Sequence, residues 1–439
     1  EGRHSAAMVR AMAARTPRGA AALAPALENL RRGVAPDRGL ANLEAVADGE
    51  LLERTVADAG MRGALLRLCA SSDFLSGLIA ARPECVELIL PGESGRARRG
   101  RERLAADLRE WRTSPEAAAD PAAALAAFRE RELIRVGARD LLDDECPSEV
   151  SHELGFLAEL EMAAAFDAAG LPGEGVVLAL GRLGGGEMSY GSALDLVFVA
   201  SEAGADASHA VQEATRTLTA AGYEIDTRLR PAGSSGQLVA SLSRYRSYRD
   251  RGELAAWERL ALVRARAVHG SEAARGAGLG FLAETLYGAE PPATLAAETW
   301  DMRLRLERTA EEADFKRGSG GLVDLEFLAE YLALAHGWRQ KAMRSRGVEQ
   351  TFEAAAAQGV LPSGEAAKAL DAHRFLRRLE MRARVVVGRA VRSLPADETE
   401  LSRLSRMIGE GTGSPLELRA AFKRHTAEAR RLLERALGV

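Results

Sequence analysis

Lysine is almost missing from this chain: Lys316, Lys341, Lys368 and Lys423 are the four lysines among 59 basic residues in a length of 439. A bias this strong reflects genome composition, and it also singles out any lysine that falls inside a motif. Cysteine is nearly as scarce. Cys69, Cys85 and Cys146 lie far apart with no CxxC spacing, which argues against a zinc site or a disulfide framework and fits a reducing cytoplasm. Long apolar runs are also absent. Val176 to Leu180 falls far short of the roughly 20 residues a membrane helix needs, so no span is expected.

No charge sign dominates. The formal net charge is −4 with 28% charged residues, so no whole-chain field argues for nucleic acid or an anionic membrane as a partner. A hydrophobic content of 47% over this length allows two or three domains with real cores. The chain opens on Glu1 within an Arg/Ala-rich stretch that has the look of an amphipathic targeting peptide; we read it instead as a trimmed piece of a longer protein.

Three regions differ in their hydrophobic period. Residues 1–170 are rich in Ala, Leu and Arg, with apolar residues at i, i+3, i+4 spacing and prolines as punctuation, which predicts a helical domain. Within it, helical spacing puts Leu125, Phe128, Leu133 and Val136 on one side, with Asp120-Pro121 as cap and first turn. Arg129 and Glu132 fall in the same arc, either as a self-neutralising pair against a neighbouring helix or on a partly exposed face.

Residues 171–270 read as a small α/β core. Buried strands are expected at 176–180 and 194–200, a helix at about 206–220, an alternating strand at 223–230, a turn at 231–236 and a short strand at 237–240. Helical periodicity returns through Trp257 to Arg266, and residues 271–439 read as a second helical domain. It is interrupted by the loop Phe315–Gly321, which opens a helix at Leu322. The expected fold class is α+β, predominantly helical, with the α/β core flanked by N- and C-terminal helical domains.

Residues two apart on a strand project from one face, so position 193 and Asp195 point together while Leu194, Leu196 and Phe198 enter the core. Asp226 shares the polar face of its own strand with Glu224, Arg228 and Arg230. Carboxylates converging from adjacent strands are the arrangement that holds Mg²⁺ pairs for in-line attack on phosphate. The glycine-rich turn Leu183–Glu187 follows the first strand, where backbone N–H groups can lie against a triphosphate. Plainer readings stand beside these. Such a turn is also an ordinary tight connection and lacks the G-x-x-x-x-G-K-S/T pattern. Arg228 and Arg230 also suit the solvated face of an edge strand.

The segment Gly181-Arg182-Leu183-Gly184-Gly185-Gly186-Glu187-Met188-Ser189-Tyr190-Gly191-Ser192-x-Leu194-Asp195-Leu196 resembles the signature of the glutamine synthetase adenylyltransferase and adenylyl-removing enzymes. So do Tyr223–Arg230 with Pro231, Gly233, Ser235 and Gly236, and Trp257-Glu258 with Leu262-x-Arg264-Ala265-Arg266. Lys316-x-Gly318-x-Gly320-Gly321-Leu322-Val323-Asp324-Leu325-Glu326-Phe327 and Phe375–Glu380 also match. Weaker similarity at Ser72–Leu75 and Phe128–Leu133 extends the likeness over most of the chain.

The resemblance implies one of two related nucleotidyltransferase halves, cytoplasmic, using ATP and Mg²⁺. One half moves AMP onto a tyrosine of glutamine synthetase, and the other removes it by phosphorolysis; a PII-type signalling protein is a further implied partner. The wording of Val323–Phe327 and of Tyr190-Gly191-Ser192 is closer to the adenylylating, C-terminal half. Carried over by position, Asp195 and Asp226 are metal ligands, Gly184 and Gly185 contact phosphate, and Ser192 adds a phosphate contact. Arg228 and Arg230 stabilise charge, and Lys316 contacts ATP. Asp324 and Glu326 either extend this polar site or cap and pair within their helix.

One position departs from the pattern: Ala193 stands where the resemblance expects the first Asp of an Asp-x-Asp pair. Its loss predicts severely reduced turnover with nucleotide binding retained. Because everything else in the motif is intact, a deliberate Asp→Ala replacement is the preferred explanation over natural decay. A catalytically dead nucleotide- or partner-binding module is the rival reading.

Overall fold

The computed structural model describes residues 36–46, 58–200, 205–230, 233, 236–409 and 411–439. Expectations for the N-terminal 35 residues, and for Pro231, Ala232, Ser234 and Ser235 of the turn, lie outside the described residues. The protein is predominantly helical with one small mixed sheet, as the sequence predicts. Among the described residues, no helix is long and apolar enough to cross a membrane. The chain divides into two compact units.

The first unit takes residues 1–157, 381–391 and 395–417 and is helical where described. Side-chain caps start its helices: Asp58 accepts from Met61 N, Ser72 from Leu75 N and Asp120 from Ala123 N. In the helix Pro121–Leu142, Leu125, Phe128, Leu133 and Val136 are all buried. Glu132 is buried with them, its carboxylate taking Arg135 Nε at 2.7 Å and Arg99 Nη1 at 2.9 Å. Glu153 accepts from both Arg135 and Arg139, so this interior charge cluster is paired rather than exposed. Breaking such a pair from one side costs about 3–5 kcal/mol, because a buried charge is left behind.

The second unit takes residues 158–380, 392–394 and 418–439 and contains the sheet. Its strands are β1 (Val176–Ala179), β2 (Leu194–Ala200), β3 (Ile225–Asp226), β4 (Val239–Ser241) and β5 (Arg266–Gly270). The order is β3-β2-β1-β5, with β4 also on β2. β1 runs antiparallel to β2 and β5, while β3 and β4 lie parallel to β2 along different stretches of it. Every residue of β1 is buried, which explains its unbroken Val-Val-Leu-Ala run. On one face Val176, Leu178, Val197 and Val199 join Leu260, Phe281 and Leu282. On the other, Phe166 meets Phe198 with ring centroids 5.7 Å apart.

Two expected elements change. The strand at 223–230 shortens to Ile225–Asp226, because the Asp226 carboxylate accepts the Arg228 backbone N–H at 2.9 Å and turns the chain. Arg230 N then donates to Arg228 O, so Arg228 and Arg230 do not continue a polar strand face with Asp226. The helix expected through Arg266 ends at Val263, and Arg266–Gly270 becomes an edge strand paired with β1. Elsewhere the reading holds: helices run from Ala205 to Ala220 and from Leu322 to Gly337.

Candidate functional site

The two retained carboxylates meet through strand pairing. Asp195 of β2 and Asp226 of β3 are direct partners in the parallel register, after Leu194 with Ile225. Asp195 is the one residue of β2 that is not fully buried, and Ala193 is half-buried just before it, with buried Leu194 between them. The alternation expected of the strand is therefore present. Leu180 N donates to Asp195 O at 2.8 Å, bringing the turn after β1 against the carboxylate. Gly181 sits there with φ +52°, and a Cβ on it would lie 2.0 Å from Asp195 Oδ2. Only glycine satisfies both the backbone and the approach.

The environments of the two carboxylates differ. Hydrogen bonding from Arg228, through Nε at 3.0 Å and the backbone N–H, holds Asp226 below the usual carboxylate range. Burial, with the nearby Asp226 charge, pushes Asp195 up to about 6, and Lys316 pulls in the other direction.

Lys316 reaches this site from the glycine-rich loop before the helix Leu322–Gly337. Asp314 Oδ1 accepts the backbone N–H groups of Lys316 and Arg317, at 2.8 and 2.7 Å. Asp324 is fully buried; it pairs with Arg303 and with Arg430 at 3.0 Å, and accepts Gly320 N–H at 3.0 Å. Gly320 has φ +71° and would meet Thr426 O at 1.7 Å with a Cβ. Asp324 thus anchors the loop rather than extending the polar site. The resulting cleft has a volume of about 590 Å³ and is lined by Gly181, Asp195, Asp226, Arg228, Lys316 and Arg317, among others. Trp257, 40% exposed, lines it together with apolar Met302, Leu306 and Phe327.

Under the cleft lies a charge network of which the motif reading singled out Glu326 alone. Arg182 pairs with Glu380 at 2.7 Å and Glu326 at 3.3 Å, while Arg264 pairs with Glu187 and with Glu326 at 3.6 Å. Arg377 pairs with Glu380 and donates to Glu187 O at 2.8 Å. Glu326 therefore lines the cleft as part of a buried network. Glu330, one turn on, also lines it, and burial raises its carboxyl well above the usual range. Arg264, Arg377 and Glu380 already stood in the quoted motifs, but no period or spacing assigns them to a common interior.

Gly184, Gly185, Ser192 and Arg230 are not among the residues lining the cleft. A Cβ on Gly184 would sit 2.3 Å from Arg264 O, and one on Gly185 would sit 2.2 Å from the Arg264 guanidinium, so close packing demands both glycines. Ser192 Oγ accepts from Ser189 N at 3.1 Å within the turn before β2. Arg230 donates to Thr227 O and to Gly236 O.

The residues present do not fit a pair of divalent metal ions. Among the described residues, no group of three or more His, Cys, Asp or Glu side chains is placed to hold one. Ala193 offers no donor, and both oxygens of Asp226 already accept from Arg228.

The family model for glutamate-ammonia ligase adenylyltransferase matches residues 62–279, and that for GlnD PII-uridylyltransferase matches residues 296–437. A bifunctional glutamine synthetase adenylyltransferase/adenylyl-removing enzyme of Streptomyces avermitilis is 30% identical over 93% of this chain and 43% of its own length. The enzyme of the same description from Streptomyces coelicolor is 31% identical over 89% of this chain and 41% of its own. That from Chromobacterium violaceum is 36% identical over 60% of this chain and 31% of its own. The chain thus spans less than half the length of the curated relatives it matches. From motifs, fold and these relatives together, the chain belongs to the glutamine synthetase adenylyltransferase/adenylyl-removing enzyme family.

Proposed function

We propose that this chain is one nucleotidyltransferase half of a cytoplasmic enzyme that transfers AMP from ATP to a tyrosine of glutamine synthetase, and that Ala193 severely reduces its turnover. Residues 1–170, 171–270 and 271–439 are its helical, α/β and helical parts. In the transfer, the tyrosine hydroxyl gives up its proton to solvent as its oxygen bonds to the α-phosphorus, the bond to the bridging oxygen breaks, and pyrophosphate leaves. The observation that carries this reading is the pairing of Asp195 with Asp226 on adjacent strands in a cleft that Lys316 also lines. The wording of Val323–Phe327 favours the adenylylating half. The second family match supports a PII-type protein as a further partner.

A transferring phosphoryl group carries charge that its site must offset. Loss of one stabilising group of this kind commonly lowers turnover by about 10²–10³. The Ala193→Asp variant restores a third carboxylate beside Asp195, and with it the donor set that Mg²⁺ requires. Incubated with glutamine synthetase, Mg²⁺ and ATP labelled in the α-phosphate, that variant transfers label to a tyrosine at least about 100-fold faster than the unaltered chain. Absence of any gain rules against adenylyl transfer at this cleft.

A further inference from the structure

We propose that this cleft holds a nucleoside triphosphate as a metal-free anion, with Lys316, Arg317 and Arg228 meeting the phosphate charge that a divalent cation would otherwise meet. The inference rests on the nucleotide-binding part of the proposed function and adds to it the form in which the nucleotide binds.

The acidic side of the site is already occupied by the protein's own cations. Arg228 grips Asp226 through Nε at 3.0 Å and through Nη2, so the other edge of its planar fork faces away from the carboxylate. Its side chain is 80% exposed, and an exposed pair of this kind is easily rearranged toward a second anion. Lys316, which lines the same cleft, acts on Asp195 electrostatically. A metal ion that displaced these contacts would still lack the donor missing at Ala193.

The same cations suit a polyphosphate. Lys316 and Arg317 are adjacent on a loop whose backbone is held by Asp314 and Asp324, so their side chains leave from a fixed platform. Arg182 and Arg264 lie deeper and are committed to Glu326, Glu380 and Glu187. The other basic residues that line the cleft are Arg228, which is exposed, and Lys316 and Arg317, which are half-buried. A volume of about 590 Å³ is within the range of small-molecule sites, and the half-exposed Trp257 ring beside Met302 and Phe327 offers a face for a base.

The test is ATP titration by calorimetry, in EDTA and in excess Mg²⁺. For the unaltered chain excess Mg²⁺ weakens apparent binding by about tenfold or more, because it draws ATP into the Mg²⁺ complex and away from the free anion that the cleft takes. For Ala193→Asp, Mg²⁺ strengthens binding by about tenfold or more, because a third carboxylate both repels the bare triphosphate and completes a metal site. Lys316→Met weakens binding in EDTA by about tenfold or more, as expected for losing a charge-assisted contact, while Lys316→Arg keeps most of it. Circular dichroism of both lysine variants separates lost binding from lost folding, and Lys316→Arg reads the charge in a folded protein. Binding to the unaltered chain that is equal or stronger in excess Mg²⁺ overturns this inference alone. No ATP binding to any form, in either condition, overturns the nucleotide reading as well.

Discussion

Asp324→Ala removes the anion that pairs with Arg303 beneath the Lys316 loop. Its carboxylate is fully buried against Arg303, which is itself fully buried, and it also accepts from Arg430 and from Gly320 N–H. Arg303 Nη2 in turn donates to the carbonyls of Arg317 and Gly318, at 2.9 and 2.7 Å, so the carboxylate orients the arginine and the arginine orients the loop. With Asp324 gone, the countercharge Arg303 keeps among the described residues is Glu307, partly exposed and 3.5 Å away. Removing one member of a buried pair costs about 3–5 kcal/mol. At a urea slope of roughly 1–3 kcal/mol per molar, the midpoint of the second unit falls by more than about 1 M. Adding Arg303→Met to Asp324→Ala recovers part of the loss, because the stranded cation is then gone. A single-variant effect below about 1 kcal/mol, or a double variant no more stable than the single, refutes the reasoning.

Two further perturbations address the site from other directions. Gly181→Ala forces a left-handed backbone on an L-residue, about 1–2 kcal/mol, and drives its Cβ into Asp195 Oδ2; thermal unfolding therefore shows a loss larger than the backbone term alone. A loss at or below that term means the Asp195 approach is looser than described. Burial raises the Glu330 carboxyl, so the folded state keeps a proton that the unfolded chain gives up above the ordinary glutamate value. Its contribution is complete at low pH and is lost as pH rises through the raised value. Glu330→Gln cannot ionise, so urea midpoints measured between about pH 5 and about pH 8 fall less steeply than in the unaltered chain. Equal slopes exclude Glu330 as the source.

Elements with strong local signals were legible in the chain. The β1 run is apolar throughout because both faces of that strand are covered. Asp195 was legible because β2 alternates where its edge reaches the cleft, and Lys316 because lysine is so rare here. The Asp120-Pro121 cap follows from local hydrogen bonding. β5 was not legible: Arg-Ala-Val-His-Gly is half-exposed throughout, and no glycine or proline separates it from the preceding helix. Its strand state comes from pairing with β1, a partner about 90 residues earlier in the chain.

The same division runs through the candidate site. Residue type and spacing settled the family, the helical and α/β periods and the absence of an aspartate at 193, since each depends on neighbours close along the chain. Tertiary structure alone decided which glycine meets a carboxylate, Gly181, and which meet Arg264, Gly184 and Gly185. It alone turned Asp324 into an anchor and gathered Arg182, Arg264, Glu187, Glu326 and Glu380 under the cleft. Pairing of buried charges is a long-range matter: each needs a partner of opposite sign at about 3 Å, and the sequence does not say which of many arginines and glutamates the fold will bring there.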